Sequence, residues 1–590
     1  MAGCGRISII VEMVDCMRAP SKPCLPGRNS SYSGATTLDV TNSIPGVSTA
    51  LPNSLQATVQ AGSTGQVGFD NRDIGFLHPD RLRHQNTFGV RPDVKNVFRV
   101  TVDGASASGN PVYFGMFSLF PPTYKGRQNG MRIDLAESLA GTKPGMAIPW
   151  WKQFRRSGHC KSLEKERDYW AVSNKIHLTP GVEYTGFRRL ENRPGRQGDW
   201  GPAEYLNWAE DIGAEPILGI WAGYSLTGET VPESQLQPYI QDAINEIQFV
   251  TGDAKTNQWA KLRAQYGRTA PYKVKYIEIG NEDFFVMNQL PVHHANSSPF
   301  TATPNTVEGF RQCLKAAFPN SGFEYIATTY PSTALDPAYT FIDWHQYNIP
   351  QFIDRALEYD TYPRNGTQIF VGEYAVTSTN ASCIFGTPAC GRLELPTLQG
   401  AVAEAAYMTG IRMSSLLPPV RLFLSSRQFT QANTRSADAP TLQNVNGYQW
   451  TPDIVSFDAG SIVKSASYYV QQMFGTNLGT HVLKTAPAPS ASVPLHWVAS
   501  HDTKKKVVYL KASNTGKAQF TASFALDFPI TGQSTVTLLS APIANTSNTL
   551  ANTDAVVPKT TKLNIASGAT TLNYTFPAQS VAVFNLKVGW

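Results

Sequence analysis

The chain has 590 residues, 42% of them hydrophobic and 16% charged, with a formal net charge of +6. A globular protein of two to four domains is expected from this, not a disordered or fibrous chain. There is no apolar run of 18 or more residues and no long basic block, so neither a membrane span nor a nucleic-acid partner is expected.

The first residues, MAGCGRISIIVEMVDCMRAP, lack the charged-then-apolar order of a secretory leader, because Glu12 and Asp15 interrupt the apolar stretch. The cytoplasm is the plain reading of that terminus; against it stand six Asn-X-Ser/Thr sequons, at Asn29, Asn296, Asn365, Asn380, Asn545 and Asn573, which also occur by chance. Seven cysteines are present without a CxxC or Cys/His cluster of zinc spacing. Cys383 and Cys390 bracket a short loop and are either paired or packed thiols.

Residues 31–125 alternate in Ser/Thr/Val-rich runs such as SLQATVQA and VFRVTVDG, the pattern of antiparallel strands in a small β-sandwich. From 126 to 475 strands alternate with helical runs, the pattern of a parallel barrel. A helix is predicted at Glu204–Gly213, a strand at Pro216–Gly223 and an amphipathic helix at Leu236–Phe249. Strands follow at Tyr276–Ile279, Phe323–Thr328, Phe341–Tyr347 and Gln368–Ala375, then a final helix at Ser467–Phe474. Residues 476–590 return to strand language (HWVAS, KVVYLKAS, TLNYTF, SVAVFNLKV), predicting a second sandwich.

Two strands end in chemistry. KYIEIGNEDFF stops at Gly280 and presents Asn281, Glu282 and Asp283; QIFVGEYA breaks at Gly372 and presents Glu373. Carboxylates delivered from strand ends are how a (β/α)₈ barrel builds a catalytic site, and two of them facing one substrate can cleave a glycosidic bond. Asp283 would point away from Glu282 along a strand. Trp221, at the third barrel strand, is a sugar-stacking candidate, although a buried aromatic is the commoner explanation.

KYIEIGNED and VGEYA resemble the acid/base and nucleophile strands of the α-L-arabinofuranosidases of glycoside hydrolase family 51, especially the fungal kind. The similarity extends in patches over Pro111–Gln472, through SLFPPTYKGRQNGMRIDLAESL, LENRPGRQGDWG, EYLNWAEDIGAEPILGIWAGYSL and NGYQWTPDIVSFDAG. It implies an α/β fold, a (β/α)₈ TIM-type barrel between an N-terminal carbohydrate-binding-like sandwich and a C-terminal sandwich. It also implies release of terminal arabinofuranose, with retention, from the arabinan or arabinoxylan of plant cell walls by a secreted enzyme. By match to the motifs, Glu373 is the nucleophile and Glu282 the general acid/base. Asn281 would bond the sugar 2-hydroxyl, His345 and Tyr347 of DWHQYN would line the pocket, and Gln449 would be a further sugar contact. No metal or cofactor is called for. An endo-glucanase or xylanase of the same clan, or an inactive carbohydrate-binding remnant, are the alternatives.

Three motifs of that family, EDINHSGDGG, RFPGGNN and NSDVVFAASYAP, are absent as written. Ala147–Phe154 admits codons that read RFPGGNN when shifted by one base, and Gly410–Pro419 and Arg6–Met17 admit the other two in neighbouring frames. A displaced reading frame near residues 1–28, 145–188 and 411–438 is therefore expected, with barrel strands one, two and eight missing from the chain as written.

Overall fold

A computed structural model describes six N-terminal strands between residues 6 and 120. It then describes residues 123–147, 202–222, 235–282, 304–328, 339–359, 367–413, 436–457, 461–483 and 493–589, with short breaks inside some of these. Most of the three suspect stretches lies outside the described residues.

The N-terminal strands make two three-stranded sheets. In one, Arg6–Val14 runs antiparallel between Arg81–Gly89 and Phe117–Phe120; in the other, Val97–Val102 lies between Thr36–Thr41 and Leu55–Val59. Residues 6–14, which in another frame would carry the family's first barrel strand, thus belong here to an antiparallel sheet.

The catalytic-type sheet is parallel and seven-stranded. Its order is Met146–Ala147, Glu215–Ile220, Tyr276–Ile279, Glu324–Thr328, Phe341–Asn348, Gln368–Val376 and Ser436–Asp438. The five central strands are those predicted, in sequence order. The expectation that the second and eighth strands would be missing is corrected: two- and three-residue strands pair in parallel at the two edges. Each edge strand needs only a few backbone bonds to a well-built neighbour, which a short segment can supply whatever its side chains.

The central strands are buried on both faces, as a parallel sheet between helices requires. Residues at period two divide between two cores. Ile217, Tyr276, Ile326, Phe341 and Phe370 pack together as one layer of the barrel interior. Leu218, Ile220, Ile277, Ile279 and Ala327 face outward onto Ile240, Ile247, Val250, Phe310 and Leu314 of the surrounding helices. Those helices include Pro202–Ile212, Gln237–Thr251, Gln258–Gln265 and Pro304–Ala317. The first stops where predicted, at Gly213, whose φ of +75° is the left-handed turn that glycine tolerates at a helix C-terminus. No helix among the described residues is long and apolar enough to cross a membrane.

The C-terminal region forms a six-stranded sheet and a two-stranded partner, Phe520–Ala525 with Thr571–Phe576. It is fused to the barrel through a continuous core. Leu539, Val556, Val581 and Val583 pack with Leu398, Ala401, Val402 and Ala405 of the Leu398–Met413 helix. The amides of Leu398 and Gln399, which the first turn of a helix leaves unsatisfied, donate to the carbonyls of Thr546 and Ala544 at 2.9 Å each. Ser513 Oγ donates to Val402 O (2.7 Å), and the buried Lys511 ammonium to Phe474 O at the end of the Ala466–Thr476 helix (2.8 Å). The sandwich therefore caps and covers the helix that follows the Glu373 strand.

Candidate active site

Above the apolar layer, the barrel interior becomes polar. Thr328 and Asp343, register partners on neighbouring strands, are buried there; Glu278, also buried, pairs in register with Ile326 of the apolar layer. Along Phe341–Asn348 the period of two sends Asp343, His345 and Tyr347 to one face, while Gln346, on the other, donates to Glu358 (3.0 Å). DWHQYN therefore makes up most of the strand.

Glu282 follows the Tyr276–Ile279 strand through Gly280, at φ +83°, and itself has φ +55°. A non-glycine residue in that region costs about 1–2 kcal/mol. Its backbone N–H donates to Thr328 Oγ1 at 2.9 Å, which fixes the turn and points the carboxylate into the barrel mouth.

Glu373 is placed by a register shift. Asp343 pairs with Phe370, but His345 pairs with Glu373, so the Gln368–Val376 strand carries one extra residue at this point. Such a bulge re-aims the side chain that follows. The expectation that this strand breaks at Gly372 is corrected: it runs through Gly372 to Val376. Glycine is required because the Asp343 carboxylate occupies the space of a side chain. Gly372 N donates to Asp343 Oδ1 at 2.7 Å, and a Cβ there would lie 2.3 and 2.6 Å from the two carboxylate oxygens.

His345 ties these groups together. Its Nε2 is 2.9 Å from Asp343 Oδ2, and its Nδ1 is 3.1 Å from Glu282 Oε1 and 3.4 Å from Glu373 Oε2. Which ring nitrogen donates and which accepts depends on the tautomer. The Tyr347 hydroxyl donates to Glu373 Oε2 at 2.5 Å. All three of Glu282, His345 and Glu373 are buried, and one donor atom from each lies within 4.8 Å of the others. Two carboxylates and an imidazole at that spacing also have the donor types of a metal-ligand set; here His345 is hydrogen-bonded to Glu282 and to Asp343, Tyr347 to Glu373, and Glu373 lies within ion-pair distance of His345.

Behind the site, Glu404 on the Leu398–Met413 helix accepts from Val376 N (3.0 Å) and from Ser467 Oγ (2.5 Å), holding the far end of the Glu373 strand. Burial pushes its carboxyl up to about 7, against the lowering effect of those two donors. Asp453 is buried too, with neither carboxylate oxygen hydrogen-bonded, and burial raises it well above the usual carboxylate range despite nearby Arg392.

The sequence-predicted residues Glu282, Glu373, His345 and Tyr347 thus converge. Asn281, Asp283 and Gln449 lie outside the described residues. Trp221 is a buried packing residue, its ring edge-on to Tyr239 at 4.8 Å. Sequence reasoning missed Asp343 and Thr328. Asp343 was legible as the residue two before His345, on the same face of the same strand; Thr328 carried no signal beyond closing a strand. Cys383 and Cys390 are disulfide-bonded. A cavity of about 660 Å³ lined by Glu215, Tyr272, Lys275 and Phe323 lies where the strands begin, at the opposite end of the barrel. Barrel catalytic sites sit at the C-terminal ends of strands, so the carboxylate cluster marks the site and this cavity does not.

Residues 182–364 match the sequence model described as the alpha-L-arabinofuranosidase 1 domain, and residues 436–580 that of the alpha-L-arabinofuranosidase C-terminal domain. The first match includes Glu282, His345 and Tyr347; Glu373 falls between the two. A probable alpha-L-arabinofuranosidase A of Aspergillus oryzae is 31% identical over 597 residues, covering 90% of this chain and 84% of the relative. Alpha-L-arabinofuranosidase A of Aspergillus niger is 30% identical over 83% of this chain and 70% of its own length. Among solved structures, the arabinose-bound MgGH51 α-L-arabinofuranosidase superposes with a TM-score of 0.72 at 33% identity, covering 99% of this chain and 83% of that one. The Thermotoga maritima α-L-arabinofuranosidase, at 17% identity and a TM-score of 0.55, covering 78% of this chain and 90% of that one, shares the fold.

Proposed function

This chain belongs to the α-L-arabinofuranosidases of glycoside hydrolase family 51, and from that premise we propose that it removes terminal arabinofuranose with retention, using Glu373 as nucleophile and Glu282 as acid/base. The roles come from the motif match, and one observation supports retention: an oxygen of each carboxylate lies within 4.8 Å of the other, with His345 beside both. Retaining glycosidases need the pair about 5–5.5 Å apart, whereas inverting ones leave room for water at about 6.5–9.5 Å.

In the first step Glu373 attacks the anomeric carbon while Glu282 protonates the departing glycosidic oxygen. The Tyr347 hydroxyl holds Glu373 Oε2 and so orients the carboxylate that forms the bond. His345 is anchored by Asp343, fixing the separation of the two carboxylates. In the second step Glu282, now deprotonated, takes a proton from water, which attacks the same carbon and frees Glu373. Asn281 and Gln449 are assigned to sugar contact by their motifs.

The substrate is an arabinose-bearing polysaccharide of the plant cell wall, and arabinan and arabinoxylan side chains are the specific candidates. The endo-acting alternative is not favoured, since the relatives are named arabinofuranosidases. Export is supported by the Cys383–Cys390 disulfide and by exposed sequon residues Asn380, Asn545 and Asn573.

The test is hydrolysis of an aryl α-L-arabinofuranoside with the anomer followed by NMR. The α-anomer should appear first, and Glu373→Gln should lose at least about 10³-fold in kcat. Glu282→Ala should regain turnover with azide, which needs no base to activate it. Initial release of the β-anomer, or a Glu373→Gln enzyme as active as the parent, would refute the assignment.

A further inference from the structure

We propose that Phe385, on the disulfide-closed loop after the nucleophile strand, is a stacking platform for the sugar unit that carries the arabinofuranose, and so selects for polymeric substrates. The proposal rests on the arabinofuranosidase reading and deepens it. The groups that meet the furanose, Glu282, His345 and Glu373, are buried. Phe385 is 58% exposed and meets Tyr347 ring to ring, 5.8 Å between centroids at 75°. Tyr347 in turn touches Glu373. Phe385 is therefore one residue outward from the reacting carboxylate, where the remainder of a substrate must pass.

A lone exposed aromatic is ordinary, but this one is held in place. The Arg392 guanidinium donates to Ile384 O, immediately before Phe385, and to Thr451 O at 2.6 Å, and lies 5.8 Å from the Phe385 ring. The Asn380 side chain accepts from Ser382 N (3.0 Å) and donates to Cys390 O (3.1 Å). The Cys383–Cys390 disulfide closes the loop around Phe385. The base of the loop is zipped by Thr379 N to Gly391 O and Leu393 N to Thr377 O, both 2.9 Å. Rigid presentation leaves more than half of Phe385 to solvent beyond its contacts with Tyr347 and Arg392. It lowers the ordering cost of binding a ligand with an apolar face, and the C–H face of a sugar ring is such a ligand. Arabinofuranose itself, enclosed deeper, does not need this ring.

The experiment compares kcat/KM on two substrates: methyl α-L-arabinofuranoside, whose leaving group is too small to reach Phe385, and an arabinofuranosyl-substituted xylotriose. Phe385→Ala should lose about fivefold to tenfold on the oligosaccharide, mostly in KM. It should stay within twofold, by the same reasoning, on the methyl glycoside, and Phe385→Trp should keep both. Equal losses on the two substrates would make Phe385 a structural residue and overturn the proposal, as would no loss on either. If the parent enzyme releases no arabinose from either substrate, it is the arabinofuranosidase reading that fails.

Discussion

Replacing Gly372 with alanine tests how the site is assembled. Gly372 is not among the positive-φ glycines, so alanine is excluded by space and not by backbone conformation. The new Cβ would stand 2.3 Å from Asp343 Oδ1 and 2.6 Å from Oδ2, about 1 Å inside ordinary contact. Asp343 must move, and it carries two buried hydrogen bonds, from Gly372 N at 2.7 Å and with His345 Nε2 at 2.9 Å. Bonds to a charged partner contribute about 1.5–3 kcal/mol each, so losing both would cost roughly 3–6 kcal/mol on that scale. A His345 ring displaced by about 1 Å would misplace both glutamates, and such a shift lowers turnover about a hundredfold. The assay is kcat/KM on an aryl arabinofuranoside beside the unfolding midpoint. In an Asp343→Ala background the obstruction is gone, and adding Gly372→Ala should cost under about 0.5 kcal/mol more. A Gly372→Ala enzyme within threefold of the parent, or additive losses in the double variant, would refute the steric account.

Glu404 should make stability fall with rising pH. Its folded value of about 7 lies above the ordinary 4.5, so its contribution is full below 4.5, declines up to about 7, and is then constant at a loss of about 3 kcal/mol. Glu404→Gln should match the parent near pH 5 and exceed it near pH 8 in urea midpoint; parallel curves would sink this. Arg263, buried, donates to five carbonyls, those of Phe249, Val250, Gly252, Arg268 and Thr269. Lysine has too few donors to replace it, so Arg263→Lys should lower stability by about 3 kcal/mol in denaturant melts, with kcat of the folded enzyme unchanged. The Cys383→Ser/Cys390→Ser pair should cost about 2 kcal/mol of loop-closure entropy, read as a lower thermal midpoint. Finally, the transcript across Ala147–Phe154 and Gly410–Pro419 should read RFPGGNN and NSDVVFAAS; a transcript encoding the printed residues would rule out an artefact of the gene model and leave a decayed gene with an inactive product.

What could be read from the sequence followed from how locally each feature is encoded. Four of the five central strands were legible because a parallel strand buried on both faces is a short apolar run with a glycine or polar stop; Phe341–Asn348, which carries Asp343, His345 and Gln346 within the strand, is the exception to that pattern. Glu282 and Glu373 were legible because they sit beside those stops. The N-terminal extent was not, since residues 6–14 gain their meaning only by pairing with residues 81–89 and 117–120. Nor was the role of Gly372, which looked like a strand end because glycine ends strands more often than it makes room for a carboxylate from the next one. That last error bears on mechanism. A strand that stopped at Gly372 would leave Glu373 on a loop, free to choose its rotamer. A strand that runs through, bulged by Asp343 and tied at Val376 to Glu404, fixes Glu373 from both sides. Fixing Glu373 this way places its carboxylate against the Tyr347 hydroxyl, the geometry that the proposed nucleophile role needs. A nucleophile must also release the sugar in the second step, and a carboxylate already held in its reactive geometry needs no reorganisation in either direction.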